Sequence, residues 1–297
     1  MTGQVAAGVD GTEAGLAAAH WAAREAEARG VPLTLVHAWE RREHTEPGMP
    51  EGAGLEDAAD RLLRSAQERI RSARPGLEVH TRAVSGSPVA VLLAAAEEAD
   101  LLALGSRGLS GVGGFLTGSV SLHALAEAPV PAVLVRAEHT EEDEHEPDSA
   151  GRPSLTTPRR PVVVGLDLRR PSDALLDFAF RSADRTGAPL RAVHAWDYPP
   201  TYGTAIGSPA PLVDAELRLQ EKALTGTLRP WRERFPSVEV TEDVRSGRAG
   251  HHLIRAAHGA GLVVVGRRAR RRGWHTGHVA HAVLHHASAP VAVVPHT

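Results

Sequence analysis

The chain has 297 residues, no cysteine and a formal net charge of −3. At roughly 100–200 residues per domain, that length points to two domains. The missing cysteines exclude a disulfide scaffold, a thiolate zinc site and a cysteine nucleophile, and the charge balance excludes a global basic field that would draw the chain onto nucleic acid.

Taken in order, the first half alternates strands and helices. A short apolar strand, Gln4–Val9, precedes a helix over Gly15–Arg29, where Leu16, Ala19, Ala23 and Ala26 recur at helical spacing. Gly30 ends it and Pro32 blocks its return. A strand over Leu33–Ala38 follows, then a helix over Leu55–Ala73 with Leu62, Leu63, Ala66 and Ile70 on one face. Glu78–Ala83 reads as a strand. Ser87–Ala99 reads as a helix with Pro88 in its first turn, a favoured position. Leu101–Leu104 is a buried strand, Gly118–Ala126 a helix and Ala132–Arg136 the last strand. Uniformly apolar strands alternating with helices predict a parallel sheet covered on both faces.

The second half repeats the first. Val5–Asp10 matches Val162–Asp167, Gly30–Leu33 matches Gly187–Leu190, and Val36–Trp39 matches Val193–Trp196, all at an offset of 157. The offset is 161 at Gly105 and Gly266, and 159 at Pro131 and Pro290. The second copy is therefore shorter between its fourth and fifth strands. The expected architecture is two tandem doubly wound, Rossmann-like α/β domains, each a five-stranded parallel sheet with helices on both faces. The expected division is residues 1–137, a linker over 138–159 and residues 160–297. The linker carries Glu141-Glu142-Asp143-Glu144 and then Pro147, Pro153 and Pro158, and reads as an extended, solvated spacer rather than an acidic docking tail.

No basic segment followed by an apolar stretch opens the chain, so a secretory signal is not expected. Apolar runs such as Val89–Ala96 fall short of the ~20 residues of a membrane helix. A cytoplasmic location is the expectation.

The chemistry concentrates after the fourth strand, in Gly105-Ser106-Arg107-Gly108, a run of further glycines, and Gly118-Ser119. A strand feeds a glycine-rich loop, which feeds a helix. Glycines allow positive φ and close approach of backbone amides. The helix start adds unsatisfied N–H groups and a positive dipole end, a combination suited to phosphate. Ser119 is placed to cap the helix, bind phosphate, or both. No Gly-Lys-Ser/Thr follows, and there is no Gly-x-Gly-x-x-Gly after the first strand, so neither a Walker loop nor the usual dinucleotide fold is indicated.

The spacing Gly-x-x-Gly, nine residues, then Gly-Ser/Thr resembles the ATP-binding motif of the universal stress protein family. Gly105, Gly108, Gly118 and Ser119 fit it. Gly8-Val9-Asp10-Gly11, Val36-His37-Ala38-Trp39 and Ala128-Pro129-Val130-Pro131 followed by Ala132–Val135 are similar to that family as well. The resemblance covers both copies and is of the tandem actinobacterial type, with an adenine nucleotide alpha hydrolase-like fold. It implies ATP, with or without Mg²⁺, held in the first copy by Gly8, Val9, Asp10, Ala38, Gly105, Ser106, Arg107, Gly108, Gly118, Ser119, Val120 and Ser121. Asp10 would contact ribose or adenine, the backbone near Ala38 the adenine edge, Gly105–Gly108 the sugar and first phosphate, and Gly118–Val120 the outer phosphates. It also implies a homodimer, a pairing of the two copies, or both. No catalytic base is apparent, so a nucleotide-dependent stress-response role is expected rather than an enzyme. The alternatives are a slow ATPase and a nucleotide-independent interaction module.

The second copy departs from the pattern. Ala269 replaces the second glycine, seven residues rather than nine precede Gly277, and His278 replaces the Ser/Thr. Weak or absent ATP binding is expected there. The arginines between Arg267 and Arg272 read as a solvated loop, with a rebuilt anion site as the alternative. Of the 17 histidines, His278, His281 and His285 share one helical face. No carboxylate on that helix completes a metal site, and the face reads as polar surface. His37 and His194 read as core-edge histidines with local hydrogen bonds.

Overall fold

A computed structural model describes residues 3–40, 53–106, 118–196, 210–268 and 277–296. They divide into two compact units, the first running to Thr140 and the second starting at Glu141.

The first unit contains β1 (Val5–Gly8), α1 (Glu13–Arg29), β2 (Leu33–Trp39), α2 (Ala53–Ala73), β3 (Val79–Ser85), α3 (Pro88–Glu97), β4 (Leu101–Ser106), α4 (Ser119–Glu127) and β5 (Ala132–Arg136). Its strands run parallel in the order β3-β2-β1-β4-β5. The chain moves outward from β1 to β3, then crosses back to β4, so the order reverses between β1 and β4. That switch point is where an open α/β sheet leaves a crevice beyond its strand ends. Helices α1 and α2 pack on one face and α3 and α4 on the other. The central strands are apolar throughout, with Val5, Ala7, Leu101, Leu102, Ala103, Ala132 and Val133 inaccessible to solvent. Each is covered from both sides, which is why these strands show no polar alternation.

Helix α1 begins where Thr12 accepts from the Gly15 amide at 3.2 Å and ends at Gly30 in the left-handed region. Its buried face is Ala18, Ala19, Ala22, Ala23 and Ala26. Side chains this small let the helix backbone sit close to the sheet.

The second unit repeats the plan with β6 (Val162–Leu166), α5 (Asp173–Thr186), β7 (Leu190–Trp196), α6 (Ala210–Arg234), β8 (Val240–Ser246), α7 (Ala249–Ala257), β9 (Leu262–Arg268), α8 (His278–His286) and β10 (Val291–His296). Its parallel order is β8-β7-β6-β9-β10. The helix after the first strand is built differently from its counterpart. α5 buries Leu175, Leu176, Phe178 and Phe180, and Phe180 stacks on Trp231 and Phe235 with centroids 5.8 and 5.6 Å apart. Bulk replaces the alanine surface of α1, and aromatic contact with α6 adds to the burial.

The acidic, proline-rich segment after Thr140 is folded rather than extended. A 3₁₀ turn spans Glu142–Glu144, and His145 and Arg159 form an antiparallel bridge. Glu146 donates its amide to Pro158 at 2.9 Å and Arg160 donates to Glu144 at 2.8 Å. At the tip, the Asp148 carboxylate accepts from the Ala150 and Arg152 amides. His145 is buried, its Nδ1 2.7 Å from the Thr157 carbonyl, and Arg159 pairs with Glu144 at 3.1 Å. Prolines and like charges favour extension only where nothing satisfies the backbone. Here cross-chain hydrogen bonds and opposite charges at Arg159 and Arg160 do so.

Candidate functional site

In the first unit, β1, β2 and β4 deliver their carboxyl ends to one crevice. At the end of β1, the Val9 amide donates to Val36 at 2.9 Å, and the His37 imidazole Nδ1 lies 2.7 Å from the Val9 carbonyl. His194 makes the matching 2.9 Å contact with Leu166 in the second unit. These histidines hold the first strand to the second just before the chain turns away, as their mid-strand positions suggested. Gly8 lies where a Cβ would come within 2.9 Å of both Leu92 and Leu104 side chains, so its role is packing beneath the crevice.

Asp10 is exposed at the mouth. Its Oδ1 accepts from the Thr12 amide at 3.1 Å and from the Thr12 hydroxyl at 2.6 Å. Thr12 in turn caps α1. The carboxylate thus fixes the residue that caps the start of the helix.

Gly105, in β4, is packed tightly against the start of α1. A Cβ there would lie 2.4 Å from both the carbonyl carbon and the oxygen of Ala14, and 2.7 Å from the Gly15 amide. A Cβ at Gly15 would lie 2.6 Å from Asp10 Oδ1. The first turn of α1 is therefore wedged between the ends of β1 and β4, and two glycines make that approach possible. Gly15 was missed in the sequence; a glycine inside the first turn of a helix was its signal. Ser106 moves out of the crevice. Its side chain is fully buried, Arg136 approaches the hydroxyl at 3.4 Å, and its carbonyl accepts from Ala137 at 3.2 Å. Successive strand residues point to opposite faces, and the Ser106 side chain takes the inward one. Burial pushes the Arg136 guanidinium down to about 10, against the opposing pull of Glu138, so it stays charged at neutral pH.

Across the crevice, Gly118 precedes α4 with φ −57° and ψ 139°, and no side chain caps the helix. Gly118 thus needs no positive φ, and a Cβ on it would meet no atom of the described residues within 4 Å. Ser119 is the first helical residue and is exposed, not a cap. The Ser121 hydroxyl donates to the Gly105 carbonyl at 2.9 Å, which ties the helix start to the end of β4. Ala38 lies near the end of β2, paired in register with Val84.

The second unit is built differently at the corresponding place. Asp167 Oδ1 accepts from the Arg169 amide at 3.1 Å, and Arg268, at the end of β9, reaches Asp167 Oδ2 at 3.2 Å. Pro171 and the Ser172 cap delay the helix, so α5 starts at Asp173 and has 14 residues against the 17 of α1. A Cβ at Gly266, the counterpart of Gly105, would meet the His296 ring at 2.7 Å instead of a helix backbone. Gly277 has φ 80°, where Gly118 has a negative value. The chain therefore approaches α8 along a different path.

Residues 1–136 and 158–295 both match the family model described as the universal stress protein family. The universal stress protein Rv2005c of Mycobacterium tuberculosis is 33% identical over 299 aligned positions, which cover 97% of this chain and 96% of that one. A universal stress protein of Mycolicibacterium smegmatis is 31% identical over 300 positions, covering 97% and 95%. The crystal structure of a universal stress protein from Archaeoglobus fulgidus superposes with a TM-score of 0.64 at 18% identity over 99% of both chains, a likeness of fold. The chain belongs to the universal stress protein family.

In this universal stress protein, Val9 and Asp10 follow β1, Ala38 lies near the end of β2, Gly105 lies near the end of β4, and Gly118 to Ser121 form the start of α4, while the Ser106 side chain is buried. Arg107 and Gly108 lie outside the described residues, as do Ala269 and the loop arginines after Arg268. Among the described residues, no helix is long and apolar enough to cross a membrane.

Proposed function

We propose that the first copy binds one ATP per chain and that the nucleotide is a regulatory ligand in a cytoplasmic stress-response protein. The observation that carries this reading is the start of α4 at Gly118, which no side chain of the described residues caps, at the switch-point end of the sheet where the exposed Asp10 carboxylate also lies. Helix-start amides with a positive dipole end suit phosphates. A carboxylate beyond the end of β1 suits the hydroxyls of a ribose, and the backbone at Ala38 offers hydrogen bonds to a base edge. In the second copy the chain enters α8 through Gly277 at φ 80° and α5 starts later than α1 does, which supports one site rather than two.

The residues assigned here bind and orient. Asp10 is hydrogen-bonded to Thr12 and lies at the ribose end, so no group is assigned as a base near the terminal phosphate. Phosphoryl transfer needs such a group and a charge clamp, and ATP is therefore held rather than turned over. Self-association as a homodimer accompanies this reading, and sedimentation velocity with and without ATP reads it.

The test is to purify the untagged chain, release any bound nucleotide with acid and identify it, then titrate ATP with and without Mg²⁺. One ATP per chain is expected, with binding weakened at least about tenfold by Asp10→Asn or Gly118→Ala, a single good contact being worth about 1.4 kcal/mol. Recovered ADP would replace the regulatory reading with a slow ATPase. No binding by the natural chain would leave an interaction module.

A further inference from the structure

Helix α8 carries chemistry that the nucleotide reading does not use. Its sequence, His278-Val279-Ala280-His281-Ala282-Val283-Leu284-His285-His286, holds no Lys, Arg, Asp or Glu. His281 and His285 are one turn apart, and their rings stack with centroids 4.4 Å apart and planes inclined by 29°. We propose that these two imidazoles form a chelating site for a divalent transition ion of the Zn²⁺, Ni²⁺ and Cu²⁺ class.

The argument is chemical and geometric. Imidazole nitrogen is a preferred donor for these ions, and two histidines at i and i+4 lie one above the other on a helix, so both can reach one ion. His281 is exposed and His285 partly so. Small ring rotations therefore turn stacked faces into nitrogens aimed at a common point. Among the described residues no third His, Asp or Glu already completes a cluster. Water fills the remaining positions, with His278 one turn earlier on the same face.

The support beneath the pair is rigid. Ala280, Val283 and Leu284 are buried on the opposite face, and α8 seats on α7 where Gly250 lets Ala282 approach. Site geometry is held best on a packed helix. The pair is specific to the second copy, because the matching positions of α4 are Leu122 and Ala126.

The test is calorimetric titration of Zn²⁺ alone into the untagged full chain. One tight step per chain is expected. His281→Ala and His285→Ala should each lower its affinity at least about tenfold, and the double variant should lose little more, because either change reduces chelation to a single donor. Circular dichroism checks that each variant stays folded, and His258→Ala, on the exposed end of α7, should bind as the natural chain does. Absence of a tight step, its survival in both single variants, or an equal loss in His258→Ala would overturn the proposal.

Discussion

Arg268 reaches Asp167 at 3.2 Å across the ends of β9 and β6, whereas Asp10, at the matching place in the first copy, turns its Oδ1 to Thr12. The second copy thus ties the end of its fourth strand to the end of its first through a side-chain ion pair.

Both members of that pair are well exposed, at 42% and 51%, so solvent screens it. Arg268→Ala should change stability by less than about 1 kcal/mol, measured by urea unfolding. It should also leave ATP stoichiometry at one per chain, because the positive-φ turn at Gly277 and the delayed start of α5 remain. A second ATP bound by this variant would show that the ion pair alone closes the second copy.

The two motif glycines should separate stability from binding. A Cβ at Gly105 collides with the backbone of Ala14, which cannot swing away as a side chain can. Gly105→Ala should cost about 2 kcal/mol or more, seen as a lower denaturation midpoint. Gly118 has an ordinary negative φ, and a Cβ on it would meet no atom of the described residues. Gly118→Ala should cost at most about 1 kcal/mol while reducing ATP affinity. Equal stability losses in the two variants would contradict the packing role given to Gly105.

The folded segment after Thr140 should be visible by hydrogen exchange. The amides of Glu146 and Arg160 bond across the segment to Pro158 and Glu144 and should exchange slowly. Those of Ala150 and Arg152, at the exposed tip, bond only to the Asp148 side chain and should exchange sooner. Uniformly fast exchange through this segment would restore the picture of an extended spacer.

On β8, Asp243 receives Arg191 through Nε at 3.1 Å and also bonds Arg245. Burial alone would raise this carboxyl, but the two guanidiniums outweigh it and hold it below its ordinary value. A depressed carboxyl contributes stability that is complete above the unfolded value of about 3.9 and lost as pH falls through the lower folded value. The natural chain should therefore exceed Asp243→Asn by on the order of 1 kcal/mol at pH 7. That gap should narrow only below about pH 4, read from urea midpoints across pH.

The sequence by itself determined the duplication, the parallel order of apolar strands and the positions of the helices to within a few residues. These properties are written in local patterns, namely three matched segments at one offset, glycines after helices and apolar runs of strand length. It also marked the crevice, because a glycine-rich loop between a strand and a helix announces itself. The tertiary structure decided what each residue there does. Gly105 is glycine because the Ala14–Gly15 backbone presses on it, Ser106 faces inward because strand residues alternate, and Asp167 is occupied by an arginine 101 positions away in the chain. The acidic segment folds because its backbone finds partners across its own turn. Each of these depends on contacts between residues that become neighbours only once the sheet has formed, and spacing along the chain carries no record of them.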